Sequence, residues 1–402
     1  MTAPRLTRRA FGLAGLSLSL LARVAGAAAP ERKFVVIVCR GGMDGLSVAP
    51  PVGDPDYQGL RRALALGDTA LKLDATFALN PALPAIHALA LAGQARIAPA
   101  VATPDRARSH FEAQDVLETG AGGVYATTSG WLNRTVQAMS TQGKVEAISV
   151  GPTAPLILRG PAAAGSWSPG RAIDAQARLP TLLQDLYRDD PLLGPALARG
   201  LQTETLAQAS GAAGSGDMAA MRAGGGGGGG GGAQNRDVAR ALGVSLADFL
   251  KAPGGPQLAA VSLDGFDTHA NQMGLLGVRL ASLDALVDGL HTGLGPAWRN
   301  TVVLAVTEFG RTARANGTGG TDHGTASTAL VMGGALKPGG ILGDWPTLKR
   351  TALFEDRDLY PATDLRALSK GLLADHLGVD RKALDTLVFP DSAAVKPLLG
   401  VV

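Results

Sequence analysis

Cysteine is almost absent from this sequence of 402 residues, in which Cys39 is the only one. An intramolecular disulfide is therefore impossible, and the small cross-linked folds of many secreted proteins are excluded. Because Cys39 ends the apolar run FVVIVC, we expect its thiol to be buried as a small hydrophobic group.

Long apolar runs and an excess of charge are also missing. Outside the N-terminus no stretch reaches the roughly 18 apolar residues of a membrane-spanning helix, so we expect no transmembrane span in the mature chain. Four of the 37 Lys and Arg residues lie in the first 29 positions, which contain no Asp or Glu, so that 33 basic residues remain against 34 acidic ones. A nearly neutral chain offers no electrostatic surface for nucleic acid, and we expect no such partner.

The N-terminal segment has the pattern of an export signal. Arg8 and Arg9 precede a modest apolar stretch that Arg23 interrupts, and small residues surround Ala29. This predicts a twin-arginine signal peptide over residues 1–29, since a membrane anchor would need a longer and more apolar stretch. We expect the twin-arginine machinery to export the protein to the periplasm or out of the cell.

The rest of the chain alternates between apolar runs and helical patterns. The runs are apolar throughout, which is typical of strands buried on both faces of a parallel sheet. Strand–helix alternation predicts an α/β fold over residues 30–402, a three-layer α/β/α sandwich with a mostly parallel central sheet. The predicted strands are FVVIVC (34–39), ARIAPAV (95–101), VEAISV (145–150), QLAAVSL (257–263), TVVLAV (301–306) and STALVM (327–332).

Residues from about 155 to 255 break this alternation, and we interpret them as an insertion in one domain. They contain nine consecutive glycines at 224–232. The glycine run follows no predicted strand and lacks the lysine and hydroxyl residues of a phosphate-binding loop, so it predicts a flexible linker.

Polar residues follow four of the predicted strands, at the edge of the sheet where ligands bind in open α/β folds. They are Asp44 after the first strand, Ser109 and His110 after the second, Asp267 and His269 after the fourth, and Glu308 and Arg311 after the fifth. We expect these side chains to lie close together. Ser109, His110 and Arg311 form the candidate catalytic set.

Two histidines each stand within two residues of an aspartate in a glycine-bearing loop, His269 with Asp267 and His323 with Asp322. Imidazole nitrogen together with carboxylate oxygen suits zinc or manganese, whereas oxygen ligands alone would favour magnesium or calcium. A single Asp-x-His pair is also typical of a surface hydrogen bond or a turn cap. The convergence of several such loops at one edge favours a divalent metal site.

Simpler structural roles remain open for some of these residues. Asp44, in GGMDG, also suits a turn residue that caps the next helix. Ser109 and Glu112 match a capping box, although a serine at a helix N-terminus is also where an anion or a phosphorylated nucleophile is stabilised. Arginines beside the candidate ligands could grip a tetrahedral anion or pair with neighbouring acids. These arginines are Arg40, Arg108 and Arg311.

Taken in order, the twin-arginine leader and the motifs RGGMDGLS, SHFEAQDVLETG, DTHANQ, TEFGRT and GGTDHG resemble a widespread bacterial family of exported proteins, domain of unknown function 1501. The resemblance covers nearly the whole chain after the leader. That family is grouped with the alkaline-phosphatase-like fold, which includes alkaline phosphatases, sulfatases and cofactor-independent phosphoglycerate mutases. The resemblance implies an α/β/α sandwich, commonly with two metals, while the family itself has no assigned reaction.

The resemblance also implies a set of site residues. Asp44 matches the ligand after the first strand, Ser109 falls near the nucleophile, and Asp267 and His269 match ligands of the first metal. His323 then matches the last ligand of that metal.

The second metal site is incomplete by this resemblance. The strand that normally ends in an Asp-His pair offers Glu308 and Phe309 here. In an alternative alignment Asp322 and His323 are that pair, and the later histidine is missing. Either alignment leaves the second metal short of a histidine, which matters because paired metals clamp the attacking and leaving oxygens of a phosphoryl transfer.

Two functional hypotheses follow. The first is an exported metal-dependent hydrolase of phosphate or related esters, acting on a small anionic ester, with Asp267, His269 and His323 on one metal and Asp44 and Glu308 on or near a second. In this hypothesis Asp322 ligates the metal or orients its neighbour His323. The second is a non-catalytic metal-binding or assembly protein of the cell envelope on the same fold, which binds an envelope component. Phe309 in place of the expected histidine favours the second hypothesis.

Overall fold

The computed structural model describes residues 31–140, 146–151, 155–168, 178–191, 193–210 and 232–402. The predicted signal peptide and residues 224–231 of the predicted glycine linker lie outside the described residues. Gly232, the last glycine of that run, begins a helix.

The composition of the first strand, β1 (Lys33–Cys39), requires a layer of helices on each side of the sheet. All of its residues are buried. Val35 and Ile37 pack into one hydrophobic core, whereas Phe34 and Val36 pack into the other. Because both faces of the strand are apolar, both must be covered. The strand therefore explains the three-layer α/β/α sandwich, and the predicted fold class is confirmed.

Within the described ranges the central sheet has eight strands. The remaining strands of the chain are β2 (Leu71–Lys72), β3 (Ala78–Leu79), β4 (Ala95–Ala102), β5 (Ala147–Val150), β6 (Ala164–Trp167), β7 (Leu258–Leu263), β8 (Thr301–Val306), β9 (Ser327–Met332) and β10 (Thr363–Asp364). The order in the sheet is β10–β4–β9–β8–β1–β7–β5–β6, while β2 and β3 pair separately. Five of the seven pairings in the large sheet are parallel, as predicted.

Strand β9 differs from the prediction in its direction, because it is antiparallel to both β4 and β8. The chain leaves the end of β8, crosses the edge of the sheet over residues 307–326, and returns through β9. The start of β9 therefore lies at the same edge as the ends of β1, β4, β7 and β8. This reversal brings the loop before β9 to the loops that follow the other strands.

Helices cover both faces of the sheet. They are α1 (Gly45–Val48), α2 (Tyr57–Arg61), α3 (Pro84–Leu91), α4 (His110–Thr119), α5 (Trp131–Ser140), α6 (Arg178–Leu186), α7 (Leu193–Ser210), α8 (Gly232–Lys251), α9 (Gln272–Leu294), α10 (Leu365–Leu377) and α11 (Arg381–Ala383). Helices α3, α8 and α9 bury apolar side chains in the core on one face, and α4, α5 and α10 do so on the other. Of the described helices, none combines the length and the apolar composition that a membrane crossing requires.

Parts of residues 155–255 belong to the sandwich itself. Strand β6 extends the sheet beside β5, and helix α8 packs along α9 with Leu246 and Phe249 fully buried. These two segments therefore contribute a strand to the sheet and a helix to one layer. For the residues between them, the insertion stays a prediction.

A buried histidine in α10 makes the stability of the fold depend on pH. His376 is 2% exposed, and its Nε2 lies 2.9 Å from the carbonyl oxygen of Lys33. Burial lowers the pKa of His376 to about 4, because the protonated ring is poorly solvated there.

We predict that His376 lowers the free energy of unfolding as the pH falls from about 6.5 to about 4. The unfolded chain takes up the proton at the higher pH and the folded chain only at the lower one, a difference of about 3 kcal/mol. Urea unfolding at pH 7 and pH 4.5 measures the loss in the wild type and in His376→Gln. The variant should lose less stability than the wild type between these two pH values, and an equal loss in both proteins would contradict the prediction.

Candidate metal centre

The site lies at the edge of the sheet where β1, β4, β7 and β8 end and β9 begins. Four chain segments meet there: residues 40–44, 103–110, 264–271 and 307–326. Hydrogen bonds between side chains and from side chains to the backbone join these segments, although up to 270 residues separate the partners in sequence.

The carboxylate of Asp267 stands at the centre of three imidazole rings. Its Oδ1 lies 3.0 Å from Nε2 of His269 and 3.3 Å from Nε2 of His323, and its Oδ2 lies 3.6 Å from Nε2 of His110. The Nε2 atoms of His269 and His323 are 3.0 Å apart. Three nitrogen atoms of the same kind therefore converge on one acid.

His110 is held so that one ring nitrogen is engaged and the other has no partner. Its Nδ1 lies 2.9 Å from Oε1 of Glu308, while its buried Nε2 makes no hydrogen bond. A carboxylate can only accept a hydrogen bond here, so the proton sits on Nδ1 in the neutral ring and Nε2 carries a lone pair. The hydrogen bond to Glu308 raises the pKa of His110, more than burial lowers it.

Glu308 is the buried support of His110. It is 1% exposed, and besides His110 its carboxylate accepts hydrogen bonds from the Gly41 N–H at 2.8 Å and the Thr307 hydroxyl at 2.9 Å. Burial alone would raise the pKa of Glu308, but these hydrogen bonds hold it below its ordinary value. The structure thus places this predicted metal ligand behind His110, where it orients the ring.

The Nδ1 atoms of the other two histidines also face oxygen atoms. Nδ1 of His323 lies 3.0 Å from the carbonyl oxygen of Arg108, a shorter contact than the 3.3 Å from its Nε2 to Oδ1 of Asp267, and this favours a proton on Nδ1 in the neutral ring. Burial lowers the pKa of His323, which favours the neutral ring. Nδ1 of His269 lies 3.5 Å from Oδ1 of Asp322. The sequence pairs Asp322 with His323, but in the structure Asp322 stands beside His269.

Arg311 anchors the whole arrangement from beneath. Its guanidinium is completely buried and donates to Oδ1 of Asp267 at 2.5 Å. The same group donates to the carbonyl oxygens of Gly41, Gly42, Phe266 and Thr321. Burial alone would raise the pKa of Asp267, but the guanidinium outweighs it and keeps the pKa low. Arg311 therefore positions Asp267 and three loops.

Two glycines permit the close approach of these loops. Gly41 has a φ of +118°, and a Cβ there would lie 2.5 Å from the backbone nitrogen of Asp267. A Cβ at Gly320 would lie 2.3 Å from the carbonyl carbon and oxygen of His269. Such distances exclude any side chain, so Gly41 of GGMDG and Gly320 of GTGG are explained by backbone packing.

Asp44, predicted as a metal ligand, lies elsewhere at the same edge. It is 1% exposed and caps α1 by accepting from the Leu46 N–H at 3.2 Å. Its Oδ2 also accepts from the Arg61 guanidinium, the Gln272 amide and the Ser47 hydroxyl. The carboxylate is thus fully occupied, and the alternative interpretation as a capping residue describes its position.

Ser109 is the N-cap residue of α4, but its side chain makes no capping hydrogen bond. The capping-box interpretation with Glu112 is therefore wrong in its side-chain part. Ser109 is half-buried next to His110, at the helix N-terminus.

The arginines beside the site all pair with acids. Arg40 binds Glu118 at 2.7 Å, and Arg108 binds Glu355 at 2.5 Å and Asp358 at 2.8 Å. Together with the bond from Arg311 to Asp267, these ion pairs match the alternative in which each arginine neutralises a nearby carboxylate.

The ring of Phe309 packs against two histidines of the cluster. Its ring is 5% exposed, and its centroid lies 4.8 Å from the rings of both His110 and His323. It forms an apolar wall against two histidines of the cluster. Within the described part of the chain, one group of His, Cys, Asp or Glu side chains has ligand atoms close enough to share an ion, namely His110, Asp267 and His323, all within 4.8 Å of one another.

A family comparison agrees with the motifs of the sequence. Residues 78–388, well over half of the chain, match the family described as a protein of unknown function, DUF1501. The chain belongs to the DUF1501 family. No curated protein matches it.

Several solved structures are similar to this DUF1501 protein in fold. The lipoteichoic acid synthase LtaP from Listeria monocytogenes has 8% identity and a TM-score of 0.42, over 90% of this chain and 76% of that one. The zinc complex of the C-terminal periplasmic domain of EcEptC from Escherichia coli has 10% identity and a TM-score of 0.37, over 77% and 74%. The phosphonate monoester hydrolase of Agrobacterium radiobacter has 12% identity and a TM-score of 0.35, over 87% and 74%.

We predict that Arg311→Met lowers the free energy of unfolding by about 3–5 kcal/mol, because it leaves the buried carbonyl groups and Asp267 without their donor. Chemical denaturation of the metal-free protein measures the loss. Arg350→Met is the matched control, since that guanidinium pairs with Asp356 on the surface, and it should have no measurable effect. Equal stability of the two variants would contradict the anchoring role of Arg311.

Proposed function

We propose that this DUF1501 protein is an exported, metal-dependent hydrolase of phosphate or related esters that binds one divalent cation through His110, His269, His323 and Asp267. The convergence of three imidazole Nε2 atoms on the Asp267 carboxylate carries the proposal. Export rests on the twin-arginine pattern of residues 1–29.

The residues present fit a metal ion in two respects. The ligand atoms of a tetrahedral zinc site lie about 3.3 Å apart. The three Nε2 atoms lie 3.0 to 3.6 Å from the nearer oxygen of Asp267, Nε2 of His269 and His323 are 3.0 Å apart, and the ligand atoms of His110, Asp267 and His323 all lie within 4.8 Å of one another. The Nε2 atom of His110 is buried without a hydrogen-bond partner, which is costly unless an ion accepts its lone pair. Three nitrogens and one carboxylate favour zinc, with manganese next, over magnesium or calcium.

The surrounding groups set the properties of the ligands. Glu308 and the carbonyl of Arg108 hold the protons of His110 and His323 on Nδ1, so both rings present Nε2 to the cluster without reorganisation. Arg311 keeps Asp267 ionised. When bound at these residues, a divalent metal supplies a Lewis acid that polarises an oxygen of the ester.

Ser109 is the proposed nucleophile, or else it seats the anion. It stands at the N-terminus of α4 beside His110, and its hydroxyl is not used for capping. Free backbone N–H groups at a helix N-terminus stabilise a negatively charged group, so a phosphoryl group on or near Ser109 would be favoured there. The substrate is a small anionic ester.

A second candidate function is a metal-binding or assembly protein of the cell envelope that does not turn over substrate. The observation that favours it is Phe309, whose ring packs against His110 and His323 where a two-metal enzyme would need further ligands. The position of Asp44 also favours this function, because its carboxylate forms an ion pair with Arg61.

The metal site predicts the metal content of the purified protein. Elemental analysis by mass spectrometry should find about one zinc or manganese ion per chain, and His269→Ala and Asp267→Asn should each lose most of it. His87→Ala is the matched control, because that exposed ring lies 2.9 Å from the Lys72 carbonyl on another part of the surface and should leave the metal content unchanged. A wild-type protein without metal, or a metal content independent of Asp267, would refute the site.

Hydrolysis separates the two functions. Assayed on a panel of aryl phosphate monoesters and diesters and aryl sulfates, the metal-loaded protein should turn over at least one class. Ser109→Ala should reduce kcat at least 100-fold if the serine is the nucleophile. Bound metal with no turnover on any substrate would leave the binding function standing.

A further inference from the structure

A buried carboxylate lies behind the metal centre in a loop that no motif of the sequence marks. Asp358 is 0% exposed. In sequence it lies more than thirty residues from the nearest proposed ligand, His323. Its Oδ2 accepts from Nε of Arg108 at 2.8 Å and from the Thr325 hydroxyl at 2.9 Å, and its Oδ1 accepts from Nη1 of Arg357 at 3.1 Å. Each of these three donor residues either contacts His323 or lies within two residues of it.

Arg108 leads to the ring of His323. The carbonyl oxygen of Arg108 lies 3.0 Å from Nδ1 of His323, and this contact favours the proton on Nδ1. Arg108 has a φ of +58°, a left-handed conformation that residues with a Cβ rarely adopt. Such a conformation persists only where its surroundings hold it, and the buried carboxylate of Asp358 holds the side chain of Arg108, while the second acid that binds it, Glu355, is mostly exposed.

Arg357 and Thr325 connect Asp358 to the backbone of His323. Nη2 of Arg357 donates to the carbonyl oxygen of His323 at 2.8 Å, and Thr325 is two residues further along the same loop. The ring and the backbone of His323 are thus held by groups that all meet at one carboxylate. The neighbouring acid Glu355 touches Arg108 alone among these groups, and its side chain is 57% exposed.

We propose that Asp358 is a positioning residue that holds His323 with its proton on Nδ1 and its Nε2 turned toward Asp267. It acts through Arg108, Arg357 and Thr325, and it does not touch the cluster itself. The proposal rests on the proposed function only for its effect on metal affinity, because the tautomer of His323 can be measured without metal.

The direct test is the tautomer of His323 in the metal-free, ¹⁵N-labelled protein at pH 8. Long-range ¹H–¹⁵N correlations distinguish the two neutral tautomers, and the His323 signals are assigned by their loss in His323→Gln. We expect the Nδ1-protonated form to dominate in the wild type. Asp358→Asn should shift the population toward the Nε2-protonated form, because Arg108 can then relax and withdraw its carbonyl.

Two controls separate positioning from general destabilisation. Glu355→Gln removes the exposed partner of the same arginine and should leave the tautomer unchanged. Asp385→Asn breaks the bond at 2.6 Å to the buried Lys370, away from the site, and should also leave it unchanged. If Asp358→Asn does not fold, Arg108→Met breaks the same connection at a partly exposed residue and should give the same shift.

Metal affinity provides the second measurement. Competition with a chelating indicator should show zinc binding weakened roughly 10- to 100-fold in Asp358→Asn and unchanged in Glu355→Gln. If the wild type binds no metal, the proposed function fails, yet the tautomer experiment still decides the role of Asp358. A wild-type tautomer retained in both Asp358→Asn and Arg108→Met would overturn the proposal.

Discussion

The burial of the Arg311 guanidinium is the constraint on which the site depends. A permanent positive charge without contact to water must be compensated, and here one carboxylate and four backbone carbonyl oxygens do so. Those carbonyls belong to loops that follow three different strands. Because the planar guanidinium fixes the directions of its donors, the loops have little freedom in how they approach one another. The glycines at Gly41 and Gly320 are the steric condition for that approach.

The cluster is built outward from this anchor in two layers. Asp267 is oriented by Arg311, and the imidazole rings are then arranged around Asp267. Behind the rings, acceptors that cannot donate hold the Nδ1 protons of His110 and His323. Such acceptors raise the basicity of the opposite nitrogen and spare the site a reorganisation when an ion binds. Most of the buried polar groups at this edge are thereby satisfied, and Nε2 of His110 is an exception that faces the cluster.

The strands and the edge of the sheet that bears the site were predictable because apolar runs report burial and open parallel sheets bind ligands at one edge. The direction of β9 was not predictable, because a short apolar strand has the same pattern whether it runs parallel or antiparallel to its neighbours. The spacing of Asp267, His269 and His323 in glycine-bearing loops predicted that they lie close together, as they do, and their role as metal ligands stays a prediction. The sequence does not show that Asp44 is taken up by an ion pair. Its partner, Arg61, lies on α2, and no motif in the sequence connects the two residues. His110 was recognised as a site residue, but only the fold shows that its Nε2 faces the cluster while Glu308 holds its other nitrogen.

The claim at the centre of this interpretation is that three imidazole nitrogens and one carboxylate share a single ion. A crystal structure of the zinc-loaded protein, with anomalous differences measured at the zinc absorption edge, tests it most directly. One peak should lie about 2.0–2.2 Å from Nε2 of His110, His269 and His323 and from the Asp267 carboxylate. An absent peak at those four side chains, or a peak at Asp44 in their place, would contradict the claim.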